Sequence, residues 1–228
     1  MILVTGGAGY IGSHTCVALA QAGMPCLVLD NFCNSRPDVL ERVGRITGQV
    51  PAHVQGDVRD AALLDDLFAR HPIQAVIHFA ALKAVGESVR EPLRYYDNNV
   101  AGTVSLLQAM RRAGVRTLVF SSSATVYGDP AQLPIREDFP LSATNPYGWS
   151  KLMMEQVLAD LDTSEPGQWR LARLRYFNPV GAHESGLIGE DPQGIPINLL
   201  PFMAQVAVGQ RELLSVYGDD YPTVDGTG

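Results

Sequence analysis

Tyr147 and Lys151 stand four positions apart in Asn145-Pro146-Tyr147-Gly148-Trp149-Ser150-Lys151, a spacing that puts both on one face of a helix, a turn apart. A phenol can accept a proton near neutral pH only if its ionisation is eased by about 4 kcal/mol. An ammonium roughly 4 Å away, at an effective dielectric near 20, supplies about that much. The competing reading is the start of an amphipathic helix with a solvated lysine. Composition weighs against it. Of 17 Lys and Arg, only Lys83 and Lys151 are lysine, so a compact ammonium stands where a planar guanidinium would not serve. The other lysine closes Phe79-Ala80-Ala81-Leu82-Lys83.

A second constellation lies near the start. Gly6-Gly7-Ala8-Gly9-Tyr10-Ile11-Gly12 follows an apolar run and opens a helical pattern. Glycines there allow a tight turn, a close approach of backbone to a pyrophosphate and close helix–strand packing, while the helix N-terminus presents free N–H groups to the phosphates. A glycine motif alone is weak. Here Asp30 closes the second apolar run, where a carboxylate can accept both ribose hydroxyls and repel a 2′-phosphate. Arg36 is the nearest cation beyond it, so the pattern favours NAD over NADP. Asp57, in Gly56-Asp57-Val58, can reach an adenine amino group or cap a helix. An oxidised nicotinamide, being cationic, would add to the pull of Lys151 on the Tyr147 phenol.

These residues need elements to carry them. The apolar runs Ile2–Thr5, Cys26–Asp30, His53–Gln55, Ala75–Phe79, Thr117–Ser121, Leu171–Tyr176 and Leu213–Tyr217 predict strands. Most are continuous rather than alternating, as expected of strands covered on both faces. Tyr10–Ala22, Pro37–Ile46, Asp60–Arg70, Pro92–Ala113, Gly148–Leu161 and Asn198–Gly209 predict helices. The alternation implies an α/β, Rossmann-like, doubly wound parallel sheet that binds ligands at the carboxyl ends of its strands. The motif residues sit at those ends. After Tyr176 the pattern loosens into a Gly-, Pro- and acid-rich stretch. We expect a nucleotide-binding domain over residues 1–176 and the beginning of a substrate domain over 177–228, incomplete at Gly228, with 213–217 free to rejoin the sheet.

Composition excludes other classes. Hydrophobic residues make up 46% of the 228, enough for a sizeable core, and a formal charge of −7 argues against a nucleic-acid partner. Cys16, Cys26 and Cys33 form no C-x-x-C pair, which disfavours a disulfide or zinc scaffold and fits a reducing cytoplasm. His14, His78 and His183 have no partners at metal-binding spacing, so no metal is expected. Neither a signal segment nor a membrane span is visible.

Val4 to His14, Asp30-Asn31, Asp97 to Val100, Ser121 to Gly128, Tyr147-x-x-x-Lys151, Arg175 to His183 and Gly189 to Pro196 together resemble the extended short-chain dehydrogenase/reductase family, in the branch that inverts carbon 4 of UDP-hexoses. The resemblance runs the length of the chain. It implies an NAD-dependent isomerase that interconverts UDP-glucose and UDP-galactose through a transient 4-keto sugar, in galactose metabolism. Tyr147 would take the proton from the 4-hydroxyl, Lys151 would lower the phenol's pKa and hold the nicotinamide ribose, and Ser123 would bond the 4-oxygen. Besides Gly6, Gly9 and Gly12, the NAD contacts implied are Tyr10, Ile11, Asp30, Asn31, Phe32, Cys33, Asn34, Ser35, Asp57, Val58, Phe79, Ala80, Ala81, Leu82, Lys83, Asn98, Ser123, Tyr147, Lys151 and Phe177. The sugar nucleotide would meet Lys83, Ser123, Tyr147, Asn178, Asn198, Leu199, Ser215, Val216 and Tyr217. Homodimerisation through the helices around 92–113 and 148–161 is implied as well.

Two rivals are weighed. A 4,6-dehydratase of the same family needs an acid and a base beside the serine, whereas Ala124 and Thr125 follow Ser123. A non-catalytic NAD-binding regulator would be marked by loss of Tyr147, Lys151 or Ser123, and all three are present. Trp149, lysine in familiar members, is expected to point away from Tyr147.

Overall fold

Short apolar runs bounded by glycine and proline become the strands β1 (Ile2–Thr5), β2 (Cys26–Asp30), β3 (Ala52–Gln55), β4 (Ala75–His78), β5 (Thr117–Ser123) and β6 (Arg170–Tyr176). A computed structural model of the chain describes residues 1–193, 196–216 and 218–226. The strands form one sheet in the order β3-β2-β1-β4-β5-β6, with every neighbouring pair parallel. This is the doubly wound arrangement expected from the sequence. The order reverses between β1 and β4, so a crevice opens beyond their carboxyl ends.

Helices α1 (Tyr10–Gln21), α2 (Asp38–Thr47), α3 (Ala61–Arg70), α4 (Val85–Arg90), α5 (Pro92–Tyr95), α6 (Gly102–Arg112), α7 (Pro146–Ser164) and α8 (Leu199–Ala207) connect and extend the strands. Alternate strand residues fill two separate cores. Leu3, Leu27, Leu29, Val76, Leu118 and Phe120 pack with residues of α3, α6 and α7. Val4 and Val28 pack with Cys16 and Val17 of α1 and Leu40 and Val43 of α2. Both faces of the central strands are therefore dry, which explains their unbroken apolar runs. β6 lies at the edge, and Arg170, Ala172, Arg173 and Leu174 are exposed, matching its mixed sequence.

Three elements differ from expectation. The segment predicted as one helix over 92–113 is α5, a π turn (Tyr96–Ala101) and α6 in succession. The helix that carries Tyr147 and Lys151 starts at Pro146, with Asn145 as its N-cap accepting from the Gly148 N–H at 2.9 Å, so Tyr147 sits in the first turn rather than before the helix. The run from Leu213 is not a strand: residues 213–216 are irregular, Leu213 is 63% and Val216 69% exposed, and Tyr217 lies outside the described residues. Apolar composition makes a strand only when a neighbour offers a ladder of N–H and C=O groups, and none is paired to this run among the described residues.

The chain divides into two compact units, Met1–Gly189 and Glu190–Gly228. The first runs beyond the expected division at Tyr176 because the following loop folds back on it. Gly181 accepts from the Tyr10 hydroxyl at 2.6 Å, and Ile188, 5% exposed, joins the core against α1 and α2. In the second unit Asn198 precedes α8 in extended conformation and its amide donates to Glu190 Oε1 at 2.5 Å. Gly194 and Ile195, within the sequence block ending at Pro196, and the terminal Thr227 and Gly228 lie outside the described residues.

Candidate active site

At the carboxyl end of β1 the backbone turns sharply through Gly6, whose φ is +70° and whose missing Cβ would lie 2.7 Å from the Ala80 N. A Cβ at Gly12 would lie 2.3 Å from the Gly6 carbonyl oxygen. Any side chain at these positions would push the turn apart. Gly9 is the N-cap of α1 and has no side-chain cap, and the first turn carries no acid. The uncapped N–H groups and the helix dipole thus leave this end suited to phosphate.

Asp30, 7% exposed, organises the loop around that end. Its Oδ2 accepts from the Ala8 N–H at 3.0 Å; its Oδ1 accepts from the Phe32 N–H and the Ser35 hydroxyl, each at 2.9 Å. Phe32 is held at φ +56°, an unusual conformation for a bulky residue and one that clusters at functional loops. Cys33 and Asn34 are exposed on the same loop. Asp57 is not a helix cap. Asp60 caps α3, while Asp57 takes the Asn31 amide at 2.9 Å and a guanidinium pair from Arg59 at 2.7 Å. Arg59, beside it, holds the Asp57 carboxyl well below the usual carboxylate range. Arg59 also reaches Asp97, and neither its composition nor its spacing marks it in the sequence.

From β4 the loop 79–83 passes directly over Gly6. Phe79 N–H donates to the Thr5 carbonyl at 2.9 Å. Asn99, 3% exposed in the π turn, grips Leu82 from both sides: its Oδ1 accepts from the Leu82 N–H and its amide donates to the Leu82 carbonyl, both at 2.9 Å. The same amide donates to the Ser150 hydroxyl at 3.1 Å, which in turn donates to the Tyr147 carbonyl at 2.7 Å. A π turn often marks a functional site. Asn98, the residue the sequence singles out, is half-buried and donates to Asn99 at 2.9 Å. Asn99 itself was legible only as a second amide in a helical stretch that disfavours amides.

Ser123 ends β5, is 8% exposed, and accepts from the Thr125 hydroxyl at 3.0 Å. Its side chain meets the Tyr147 phenol. Lys151, 4% exposed, donates from Nζ to the Ser121 carbonyl at 2.8 Å, with Nζ 5.0 Å from the Phe120 ring and 6.0 Å from the Tyr147 ring. Burial pulls the Lys151 ammonium down to about 8 and pushes the Tyr147 phenol up, against which the Ser123 hydrogen bond works. The four-residue spacing therefore does not by itself bring the phenol below its ordinary range: desolvation outweighs the Ser123 hydrogen bond, and the ammonium donates to a carbonyl. Tyr176 pairs with Ser123 in the sheet register, so Phe177, 59% exposed, and Asn178 leave β6 beside Ser123.

One buried cluster adjoins this site that the sequence does not announce. Glu155, 2% exposed on α7, accepts from Arg175 Nη2 at 2.7 Å and from the Ser122 hydroxyl at 2.5 Å. Among the described residues no group of three or more His, Cys, Asp or Glu is placed to hold a metal, and no helix is long and apolar enough to cross a membrane.

The family model described as the NAD dependent epimerase/dehydratase family matches residues 2–225. The chain belongs to that family. It is 63% identical over 228 residues to the UDP-glucose 4-epimerase of Yersinia pestis and 61% over 227 to that of Bacillus subtilis, covering all of this chain and 67% of each relative. A crystal structure of UDP-glucose 4-epimerase from Bifidobacterium longum in complex with NAD+ and UDP superposes with a TM-score of 0.96 at 56% identity, over 100% of this chain and 68% of that one. The Stenotrophomonas maltophila enzyme, with bound NAD and formylated UDP-arabinopyranose, gives 0.96 at 56%, over 100% and 67%. The family is NAD dependent, and the glycine cradle with the Asp30 carboxylate fits that cofactor: the space a Cβ would fill at Gly6 and Gly12 is where backbone must stay bare.

Proposed function

We propose that this chain catalyses the interconversion of UDP-glucose and UDP-galactose at carbon 4, and is thus an isomerase of galactose metabolism. The observation that carries the reading is that the buried Lys151 ammonium, bonded to β5 and 6.0 Å from the Tyr147 ring, lies with Ser123 at the carboxyl end of the sheet that also bears the glycine turn. NAD, when bound, supplies the hydride acceptor and donor. The backbone of Gly6, Gly9, Tyr10, Ile11 and Gly12 would hold its pyrophosphate, Asp30 its adenosine ribose, and Asn31 to Ser35, Asp57 and Val58 its adenine side. Phe79 to Lys83, Asn98 and Phe177 would line the nicotinamide side.

Tyr147 removes the proton from the sugar 4-hydroxyl and later returns it, while Ser123 bonds the 4-oxygen throughout. Lys151 holds the nicotinamide ribose and favours the phenolate. Placement of Tyr147 in the first turn of α7 adds the positive end of the helix dipole to that preference. A bound nicotinamide, cationic when oxidised, would add to that preference. Inversion requires the 4-keto sugar to present its other face, so UDP must be held firmly and the hexose loosely. Asn178, Asn198, Leu199, Ser215, Val216 and Tyr217 are assigned to the sugar nucleotide, which makes 177–228 the beginning of the substrate-binding part and 1–176 the NAD-binding part.

Mixing the purified chain with UDP-galactose and following UDP-glucose formation, together with the absorbance of bound NADH, tests the assignment. Release of a stable 4-keto-6-deoxy sugar would replace it with a dehydratase. We further assign a second copy of the chain to the face that carries Val89, Leu93, Trp149 and Met153, which are 62%, 81%, 41% and 41% exposed on α4, α5 and α7. Light scattering should give twice the chain mass, and Leu93→Glu should return it to one. A cytoplasmic location goes with this reading and its UDP-sugar substrates.

A further inference from the structure

Glu155 follows Lys151 by four residues on α7, so the two side chains leave one face of the helix a turn apart. Both are buried, Lys151 4% and Glu155 2% exposed. A carboxylate and an ammonium at i and i+4 on a helix are within pairing reach of each other, and in a dry interior such an attraction is strong. Yet among the described residues no ion pair involves Lys151; its Nζ donates to the Ser121 carbonyl. The Glu155 carboxylate is taken from the other side. Arg175 on β6 donates Nη2 to Oε2 at 2.7 Å and Nε to Oε1 at 3.0 Å, and Ser122 donates to Oε1. Arg175 is itself locked, with Nη1 donating to the Tyr127 hydroxyl at 2.8 Å and the guanidinium 4.9 Å from that ring.

We propose that Arg175 is a positioning residue whose task is to sequester Glu155, keeping the Lys151 ammonium unpaired and available to the Tyr147 phenol. This rests on the reading of Tyr147 and Lys151 as the catalytic pair. Other charged or titratable groups near the two ends are few. His78 on β4 bears on Lys151, and burial keeps its imidazole neutral, down to about 3. Arg173 on β6 adds positive charge towards Glu155. Neither offers Lys151 an anion. Without Arg175 the freed carboxylate would be the one anion within a helical turn of the ammonium, and pairing with it would draw the charge away from the phenol. A bidentate guanidinium suits the task, since a single-point cation would leave one carboxylate oxygen open.

The test reads the Tyr147 phenol by ultraviolet difference titration, with and without added NAD, using Tyr147→Phe as the blank. Lys151→Met should raise the titration midpoint by about one pH unit or more, tenfold in acid strength. Arg175→Met should raise it similarly, and Glu155→Gln combined with Arg175→Met should bring it back to the parent position. Glu155→Gln alone should leave it where it is in the parent. A merely fastening role for the cluster predicts that the double variant titrates no better than Arg175→Met, which would overturn the proposal. An upward move in Glu155→Gln alone would overturn it too. Should Arg175→Met fail to fold, Arg175→Lys, which keeps the charge without the two-point grip, must raise the midpoint; no change there also overturns it. A midpoint unmoved by Lys151→Met removes the catalytic reading itself, whereas one moved by Lys151→Met but not by Arg175→Met removes only the role of Arg175.

Discussion

The two ends of the crevice are built by different means. Beyond β1 and β2 the working surface is backbone, shaped by Gly6 and Gly12 and pinned by one carboxylate, Asp30, that accepts two N–H groups and a hydroxyl. Beyond β5 and β6 it is side chains: Ser123, Tyr147 and Lys151, supported by Ser122, Glu155 and Arg175. A backbone surface fails through shape, and a side-chain surface fails through charge and proton placement. Substitutions at the two ends should therefore separate binding and stability from turnover.

The largest separation is expected from Tyr147→Phe, which should lower turnover about a thousandfold by removing the proton acceptor. Its NAD affinity, measured by fluorescence quenching, and its melting temperature should stay close to the parent's. Gly12→Ala should do the reverse kind of damage. With a Cβ only 2.3 Å from the Gly6 carbonyl oxygen, the turn must open, costing about 2–3 kcal/mol in chemical unfolding and at least about tenfold in NAD affinity. Asp30→Ala leaves the Ala8 and Phe32 N–H groups without their acceptor, a loss of about 2 kcal/mol, and should abolish the preference for NAD over NADP in competitive binding.

Between the two ends runs a seam that belongs to neither. His78, buried at 2% exposure, links the Thr5 hydroxyl at 2.6 Å to the Thr103 hydroxyl at 2.9 Å, joining β1, β4 and α6. Burial, with Lys151 adding to it, holds the imidazole down to about 3, whereas in the unfolded chain it titrates near 6.5. The folded state thus binds fewer protons across that window. Its stability from this residue is complete above about pH 6.5 and lost as pH falls towards 3, by about 2 kcal/mol at pH 5. Urea unfolding at pH 7 and pH 5 should show that difference, and His78→Gln should flatten it. The smallest effect is expected at Trp149→Lys. The side chain is 41% exposed, between Tyr147 and Lys151 in the sequence but on the outer face of α7, and turnover should change little.

The backbone end was the more legible in sequence. A glycine turn after an apolar run, closed by Asp30 at the end of the next, states its geometry in residue types alone, because only glycine tolerates the contacts found at Gly6 and Gly12. The parallel direction of the strands followed from the alternation of strand and helix and from their unbroken apolar character, whereas their order came only with the structure. At the other end the sequence pointed to Tyr147 and Lys151 but not to their electrostatics. Burial, which no spacing reveals, pushes the phenol up, and Lys151 turns to the Ser121 carbonyl. Arg59 and Asn99 escaped notice because their roles depend on partners far away in the chain, Asp97 for one and Leu82 for the other. The apolar run from Leu213 misled for the opposite reason: strand character was local, but the ladder it needed was not.

The π turn at Tyr96–Ala101 carries a further consequence. One surplus residue advances the phase of everything that follows by about a quarter turn. The turn itself and the helix that follows it thereby face different ways: Asn99 in the π turn bonds the loop over Gly6, while Leu106, Leu107 and Met110 of α6 pack into the interior. A stretch that reads as one helix therefore serves two faces, the crevice through its π turn and the core through α6.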